Sequence, residues 1–368
     1  MPSGGALRRA HSLHPPRSTF HPAANVAKKK SDPKPSDAEL NLSLLRSMLL
    51  QRRFEERCAE AYALGKIGGF CHLYIGQEAV STGSLSVLRS DDYIITTYRD
   101  HGQALARGMN PRNVMAELFG RIDGVARGKG GSMHMFDKSL NFLGGHGIVG
   151  AHVPLGTGVG FAIKYRGGDQ VCVCFMGESV VNTGAFHEAL NMAGLWKLPV
   201  VYVIENNRYG MGTALERASA IHDIYERGAS YNIPRAVCDG QDVFAVRAAM
   251  QEAIDRARSE SEPTLLEVRT YRFMGHSMSD AVSGTYRTKA ELDEYMKRDP
   301  IVLLRMHMQE QGELNDENLH KLDEEMKAIA QDAWDFADKS PEPPLEALYE
   351  DVLVDTTSDA TAEAVAAD

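Results

Sequence analysis

The apolar positions of the chain fall into three rhythms, and each predicts a different kind of structure. Beyond Ser36, the residues Leu44, Leu45, Met48, Leu49 and Phe54 share one helical face. Ser36 and Glu39 have capping-box spacing ahead of them and Gly65 offers a stop, which predicts one long helix to about Leu64. Residues 65–160 keep no sustained period and are rich in glycine and histidine. Their runs 68–72, 127–131 and 144–147 are unsuited to helix interiors. Glycine there lets backbone approach a ligand or take positive φ, and three such runs point to a site built from loops on a rigid scaffold. From residue 165 the pattern is regular. Buried strands are predicted at Gln170–Met176, Pro199–Glu205 and Thr264–Phe273. Helices are predicted at Asn182–Trp196 and from Asp242, a cap, to about Ser259. Strand–helix–strand repeats of this length predict an α/β fold with a parallel sheet, right-handed crossovers and helices on both faces. Cys172 and Cys174 share one face of the first strand and read as small core residues rather than metal ligands. Residues 290–340 read as two amphipathic helices without chemistry.

Composition bounds the function. The chain has 368 residues, 43% of them apolar, enough for a sizeable core in about two domains or one large α/β unit with extensions. Forty Lys and Arg stand against fifty Asp and Glu, a net charge of -10. That is the wrong sign for binding nucleic acid over the whole surface. No apolar run reaches the roughly 18 residues of a membrane span. Five cysteines without CxxC spacing argue for a reducing compartment and against a disulfide framework. Charge collects at the ends. Residues 1–31 hold six basic groups (Arg8, Arg9, Arg17, Lys28, Lys29, Lys30) and no acid, whereas 350–368 hold six acids and no base. Both ends lack apolar periodicity, so 1–35 is expected to be a disordered basic extension, 36–348 the folded domain and 349–368 a disordered acidic tail. The basic start has two readings, a mitochondrial transit peptide or a solvated bacterial extension.

Ligands of open parallel sheets sit beyond the carboxyl ends of the strands. The three predicted strands run into Gly177-Glu178-Ser179, Asn206-Asn207-Arg208-Tyr209-Gly210 and Gly275-His276-Ser277. A carboxylate, a carboxamide and an imidazole at one sheet edge suit a magnesium-bridged diphosphate. Mg²⁺ takes few protein oxygens and completes its shell on phosphate. Glu178, the Asn207 side-chain oxygen and a carbonyl near Tyr209 are the candidate ligands. His276 and a helix start near Asn182 would meet the phosphates. Each segment alone is an ordinary turn; their recurrence at successive strand ends carries the reading.

Gly177-Glu178-Ser179, 26 residues and then Asn206-Asn207 resemble the thiamine diphosphate motif, GDG and about 26 residues to NN. Six further segments narrow the match: 72–79 (HLYIGQEA), 98–102 (YRDHG), 129–135 (KGGSMHM), 147–150 (GIVG), 191–199 (NMAGLWKLP) and 275–280 (GHSMSD). Together, over about residues 38–350, they resemble the alpha subunit of the pyruvate dehydrogenase decarboxylating component. The resemblance implies a thiamine diphosphate-binding fold and a set of roles. Tyr98 and Arg99 would hold the diphosphate, Arg99 as a fork-shaped donor. Gly147 and Val149 would line the cofactor, Val149 near its aminopyrimidine ring. Gly177 and Ser179 would flank it, and Val180 would approach the phosphates through its backbone. Glu178, Asn207 and the Tyr209 carbonyl would bind Mg²⁺. His276 would touch the diphosphate, and His72 would sit near the reacting end for substrate contact or proton transfer.

The resemblance also implies the reaction: pyruvate is decarboxylated and its acetyl unit passes to a lipoyl group on the acyltransferase partner. A beta subunit supplies a glutamate to the cofactor ring, which predicts an α₂β₂ heterotetramer. Ala185, Ala189 and Ala193 recur on one helix face, either to admit a partner helix or because alanine is common in helices. Branched-chain 2-oxo acids and acetoin are the rival substrates; segments 72–74 and 132–134 resemble the pyruvate enzymes. Three positions depart from the family pattern: Glu178 replaces Asp, Ser179 replaces Gly, and Asn182-Thr183-Gly184 replaces Asn-Gln-Gly. Ser179 puts a β-carbon where backbone should lie close to a phosphate, which keeps open a weakened structural paralogue. Residues 275–290 resemble the loop phosphorylated in eukaryotic relatives, with Ser277 at the main position and Ala214 at a further site that takes no phosphate. Ile75 and His146 resemble bacterial relatives, so a cytoplasmic location is expected.

Overall fold

Ser36 starts the first helix as its spacing predicts. Its Oγ accepts from Glu39 N at 3.3 Å and the Glu39 carboxylate accepts from Ser36 N at 2.8 Å, so two otherwise orphaned donors are satisfied reciprocally. Helix α1 (Asp37–Ala63) then runs to Leu64, and Gly65 takes φ +72°. The computed structural model describes residues 36–350 and 352; the expected basic extension and most of the expected acidic tail lie outside them.

A six-stranded parallel sheet forms the centre. Its strands are β1 (Tyr93–Thr97), β2 (Phe142–His146), β3 (Cys172–Gly177), β4 (Val200–Asn206), β7 (Arg235–Asp239) and β8 (Thr264–Arg269), in the order β2-β1-β3-β4-β8-β7. Strand alternation divides the core in two. Val173, Phe175, Val201, Val203 and Leu266 face α1, α2 (Glu78–Leu85) and α8 (Val243–Glu260). Cys172, Cys174, Met176, Tyr202 and Ile204 face α5 (His152–Tyr165) and α6 (Gly184–Trp196). Helices therefore cover both faces, as expected, and both cysteines are fully buried core residues with burial raising their thiol pKa values. The register sets Gly177 beside Glu205 and Asn206 beside Arg269. The carboxyl ends of β3, β4 and β8 thus finish level, at one edge.

Several boundaries differ from the sequence reading. Besides the two short hairpin strands at 209–210 and 213–214, three strands of the main sheet went unpredicted. Two of them, β2 and β7, are sheet edges whose half-polar sequences (FLGGH, RAVCD) carry no apolar run, and β1 has only five residues. Strand β8 stops at Arg269, because Thr270 N turns to Asn206 O and Phe273 N to Ile75 O, 3.0 Å away. Residues 178–182 form a 3₁₀ turn, and α6 starts only after Thr183, whose hydroxyl caps it. On α6, Ala189 and Ala193 are buried in the chain's own core and Ala185 is half-buried, so the small-residue spacing serves internal packing. The C-terminal part contains three helices rather than two: α9 (Lys289–Met296), α10 (Pro300–Glu310) and α11 (Asp316–Lys339). The Asp299 side chain caps α10, with Pro300 at its first helical position, and so starts a separate helix within the stretch read as two. The remaining elements are α3 (His101–Arg107), α4 (Pro111–Leu118), the hairpin β5 (Tyr209–Gly210) with β6 (Thr213–Ala214), and α7 (Leu215–Ala218). No helix of the described residues is long and apolar enough to cross a membrane.

Candidate active site

A cavity of about 270 Å³ opens at the level strand ends. Tyr98 and Arg99 enter it from the end of β1, and Gly177, Glu178, Ser179 and Val180 from the end of β3. Asn207 follows the end of β4, Tyr209 begins β5, His276 comes from the chain beyond β8, and Val149 from beyond β2. Ten of the residues singled out from sequence thus meet in one place. His72 does not line the cavity but stacks beside it, its ring 4.7 Å from Tyr98 and 5.2 Å from His276. Gly147 lies outside the lining, where an added β-carbon would meet the His134 ring at 3.2 Å. The expected helix start near Asn182 does not reach the cavity; the 3₁₀ turn 178–182 brings Glu178 to Val180 there instead.

Thr97, Glu205, Met211 and Arg272 line the cavity without having been singled out from sequence, and Gln77 entered that reading only as part of segment 72–79. Arg272 is the most informative. It is 1% exposed and donates to Met274 O, to the Tyr286 hydroxyl and, at 3.5 Å, to Asn207 Oδ1. Arg99 is likewise buried and donates to Leu73 O and His276 O at 2.7 and 2.8 Å. Neither guanidinium makes an ion pair among the described residues. Burial and the neighbouring Arg272 lower the Arg99 pKa to about 10, still charged at neutral pH. Two buried cations without a bonded carboxylate are costly unless an anion arrives to pair them. Among the described residues, nearby buried polar atoms lack a partner: Gln77 Nε2, His72 Nδ1 and His276 Nδ1.

The acids differ from the bases. Burial raises the pKa of Glu178, against the pull of Arg272 and Arg99. Burial also pushes Glu205 to about 7, although Tyr74 OH and Gln103 Nε2 both donate to it. Burial and Arg99 push His72 down to about 2, and His276 falls to about 4 for the same reasons, so both rings are neutral. Asn207 donates its amide to Gln77 Oε1 at 3.0 Å, leaving Oδ1 with only long contacts to Tyr209 N and Arg272. Glu178 and Asn207 Oδ1 are therefore acceptor oxygens on one cavity wall, the donor set a hard cation takes. Ser179 fits without backbone conflict because it faces a glycine. A β-carbon at Gly210 would lie only 1.9 Å from Ser179 Oγ.

One glycine run proves to serve the chain itself. The buried Glu117 carboxylate accepts backbone N–H groups from Ala126, Gly128, Gly130 and Gly131, at 2.7 to 3.0 Å. The loop 126–131 wraps an internal anion rather than a ligand. It hands on to Ser132, whose hydroxyl accepts from His72 N. Ser277 is buried and its hydroxyl donates to Asp280 Oδ2 at 2.9 Å; Ala214 sits in the β5–β6 hairpin.

Residues 46–346 match the family described as dehydrogenase E1 component. The pyruvate dehydrogenase E1 component subunit alpha of Rhizobium meliloti is 48% identical over 345 residues, covering 90% of this chain and 99% of that one. The same subunit of Zymomonas mobilis is 48% identical over 321 residues, 87% of this chain and 90% of its own. The chloroplastic subunit alpha-3 of Oryza sativa is 44% identical over 323 residues, 85% of this chain and 76% of its own.

Proposed function

The chain belongs to the dehydrogenase E1 component family, and from that footing we propose that it is the alpha subunit of a thiamine diphosphate-dependent pyruvate dehydrogenase. It decarboxylates pyruvate and passes the acetyl group to the lipoyl group of an acyltransferase partner. The observation that carries the cofactor reading is the pair of buried guanidiniums, Arg99 and Arg272, facing one cavity without a carboxylate partner among the described residues. A diphosphate supplies the missing negative charge, and both forks match its oxygens.

In this reading Arg99, Arg272, Tyr98 and His276 hold the diphosphate, with Val180 approaching it through backbone. Glu178, Asn207 Oδ1 and the Tyr209 carbonyl hold Mg²⁺. The cation would also keep Glu178 ionised against the burial that raises its pKa. Gly177, Ser179 and Val149 shape the walls, and Gly147 supports the loop that carries Val149. Thiamine diphosphate, when bound, supplies the electron sink for the bond between the carboxylate and the keto carbon. His72 stays neutral beside it, so it offers a hydrogen bond rather than a charge to the substrate, and its Nδ1 has no other partner among the described residues. The space that Gly210 leaves for Ser179 supports an active site over a weakened paralogue.

Apolar side chains stand exposed on the cavity lining, Met211 at 62% and Val149 at 48%, and Ile148 next to Val149 in sequence is 73% exposed. They support a partner surface there, which we assign to the beta subunit in an α₂β₂ assembly that the lipoyl domain visits. The bacterial sources of the relatives support a cytoplasmic location, and the chloroplastic rice relative is compatible with an organellar one. Co-expression with a beta subunit tests the whole reading. With cofactor and Mg²⁺ saturating, pyruvate decarboxylation should rise well above that of the beta subunit alone. Equal rates would overturn it.

A further inference from the structure

Beneath His72 lies a buried chain of hydrogen bonds that the proposed reaction does not itself use. Glu55 on α1 meets His101 Nδ1 at 2.8 Å, and His101 Nε2 meets Ser132 Oγ at 2.9 Å. Ser132 Oγ in turn accepts from the backbone N–H of His72 at 3.1 Å. Glu55, His101 and Ser132 are 1%, 0% and 4% exposed. The order of groups is that of a nucleophilic triad. Burial argues against that role, and so does the Ser132 oxygen, already engaged by two partners. Glu55, His101 and Cys58 also lie close enough to share a metal ion. However, both imidazole nitrogens already have hydrogen-bond partners, which leaves no lone pair for one.

We propose that Glu55, His101 and Ser132 form a positioning relay that fixes the backbone of His72 and so aims its ring at the substrate. The proposal rests on the reading of His72 as a residue beside the reacting centre. Its logic is directional. Glu55 accepts from His101 Nδ1–H, His101 Nε2 accepts from the Ser132 hydroxyl, and a Ser132 lone pair takes the His72 amide. If His101 is protonated instead, Nε2–H donates to Ser132 Oγ and the lone pair for His72 remains. Among the described residues the His72 ring has no hydrogen bond to hold its Nδ1. Its direction is therefore set by its backbone and by the rings of Tyr98 and His276. From the other side, the Glu117 carboxylate fixes Gly130 and Gly131, the residues immediately before Ser132.

The test uses the enzyme assembled with its beta subunit, thiamine diphosphate and Mg²⁺, carrying Ser132→Ala or His101→Gln. Ser132→Ala should lower kcat for pyruvate about tenfold, the worth of one buried hydrogen bond. Cofactor affinity, measured by calorimetry without turnover, should stay within about threefold. His101→Gln keeps a polar group near Ser132 and should fall between native and Ser132→Ala. Amide hydrogen exchange at His72 supplies the readout that needs no activity: it should quicken in both variants while exchange in β3 and β4 stays native. Unchanged His72 exchange in Ser132→Ala overturns the relay, as does a kcat loss that merely follows lost cofactor affinity. If Ser132→Ala does not fold, His101→Gln decides by the same two readouts. If the native assembly fails to decarboxylate pyruvate but His72 exchange still responds, the proposed function falls and the relay stands.

Discussion

A half-buried arginine and a buried pair behave in opposite ways. Arg52 on α1 is held by Glu78 at 2.6 Å and Asp299 at 2.8 Å. Burial opposes its charge, yet the two carboxylates together raise its pKa. Arg99 and Arg272 are buried more deeply and, among the described residues, have only carbonyls, a hydroxyl and an amide oxygen as bonding partners. The chain has ten more acids than bases, so a shortage of carboxylates is not the cause. Arg52 is a closed ion triad that ties α1 to α2 and to the cap of α10. The cavity pair is open among the described residues, and in the proposed reading the diphosphate completes it. Burial alone therefore does not separate a structural arginine from a binding one; the partner does.

The contrast is broken most forcefully by truncation. Arg52→Met leaves Glu78 and Asp299 without their cation, and removing one partner of a buried pair costs about 3 to 5 kcal/mol. Chemical denaturation should show that loss equally with and without cofactor. Arg99→Met should do the reverse. The apo chain keeps or gains melting temperature because an unpaired charge is gone, while cofactor affinity falls about 10- to 100-fold, the worth of a charged hydrogen bond to phosphate. A loss of apo stability in Arg99→Met as large as that in Arg52→Met would erase the distinction.

A smaller ligand sharpens it. Inorganic pyrophosphate carries the charge of the diphosphate without the rings. At a hundredfold excess over its dissociation constant it should stabilise the native apo chain by about 2.7 kcal/mol. Arg52→Met should show the same gain from a lower baseline. Arg99→Met and Arg272→Met should lose most of it.

The difference between these arginines was only half legible in the sequence. Arg99 was found because it lies in a motif after Tyr98, whereas Arg272 follows a strand as one polar residue among many. Whether an arginine has a partner is a tertiary fact: Asp299 lies 247 positions from Arg52. The same limit explains the other misses. The glycine loop 126–131 folds around Glu117, a residue in a helix that no local pattern marks. Strands β2 and β7 need only one neighbour each, so their sequences carry no full apolar run. By contrast, the α1 cap, the buried strands β3 and β4, and the convergence of Glu178 and Asn207 at their ends are written in spacing alone. There the period of the strand and the level ends of a parallel sheet do the positioning.

The departure at Ser179 offers a third test, local to the cavity wall. An alanine at Gly210 collides with Ser179 Oγ in the native chain, at 1.9 Å, but has room once Ser179→Gly is made. A double-mutant cycle on stability should give a coupling of about 1 to 3 kcal/mol between the two positions. Additive effects would mean that Ser179 turns away at no cost, and that Gly210 is not what accommodates it.

Arg99 and Asp100 carry the comparison to its smallest effect. They are sequence neighbours, both buried, and not paired with each other. Burial lowers the arginine only to about 10, so it keeps its charge and waits for an anion. Burial raises the Asp100 carboxyl to about 7, against the charge of His101 and the Met135 N–H, so it can discard its charge by taking up a proton. Its Oδ1 has no partner among the described residues. A folded-state pKa raised above the ordinary 3.8 means that the folded chain holds the extra proton. The associated stability is fully present below about pH 3.8 and is lost as pH rises through about 7. His101 lies beside the same carboxyl and its own pKa is raised too, against burial, so the slope belongs to the pair. In Asp100→Asn, the fall in melting temperature between about pH 4 and 7 should flatten. Arg52→Met, which removes a charge from a distant triad, should leave that slope unchanged. A native profile that rises over this interval would reverse the sign and show Asp100 to be ionised in the folded chain, held by a cation as Glu78 is.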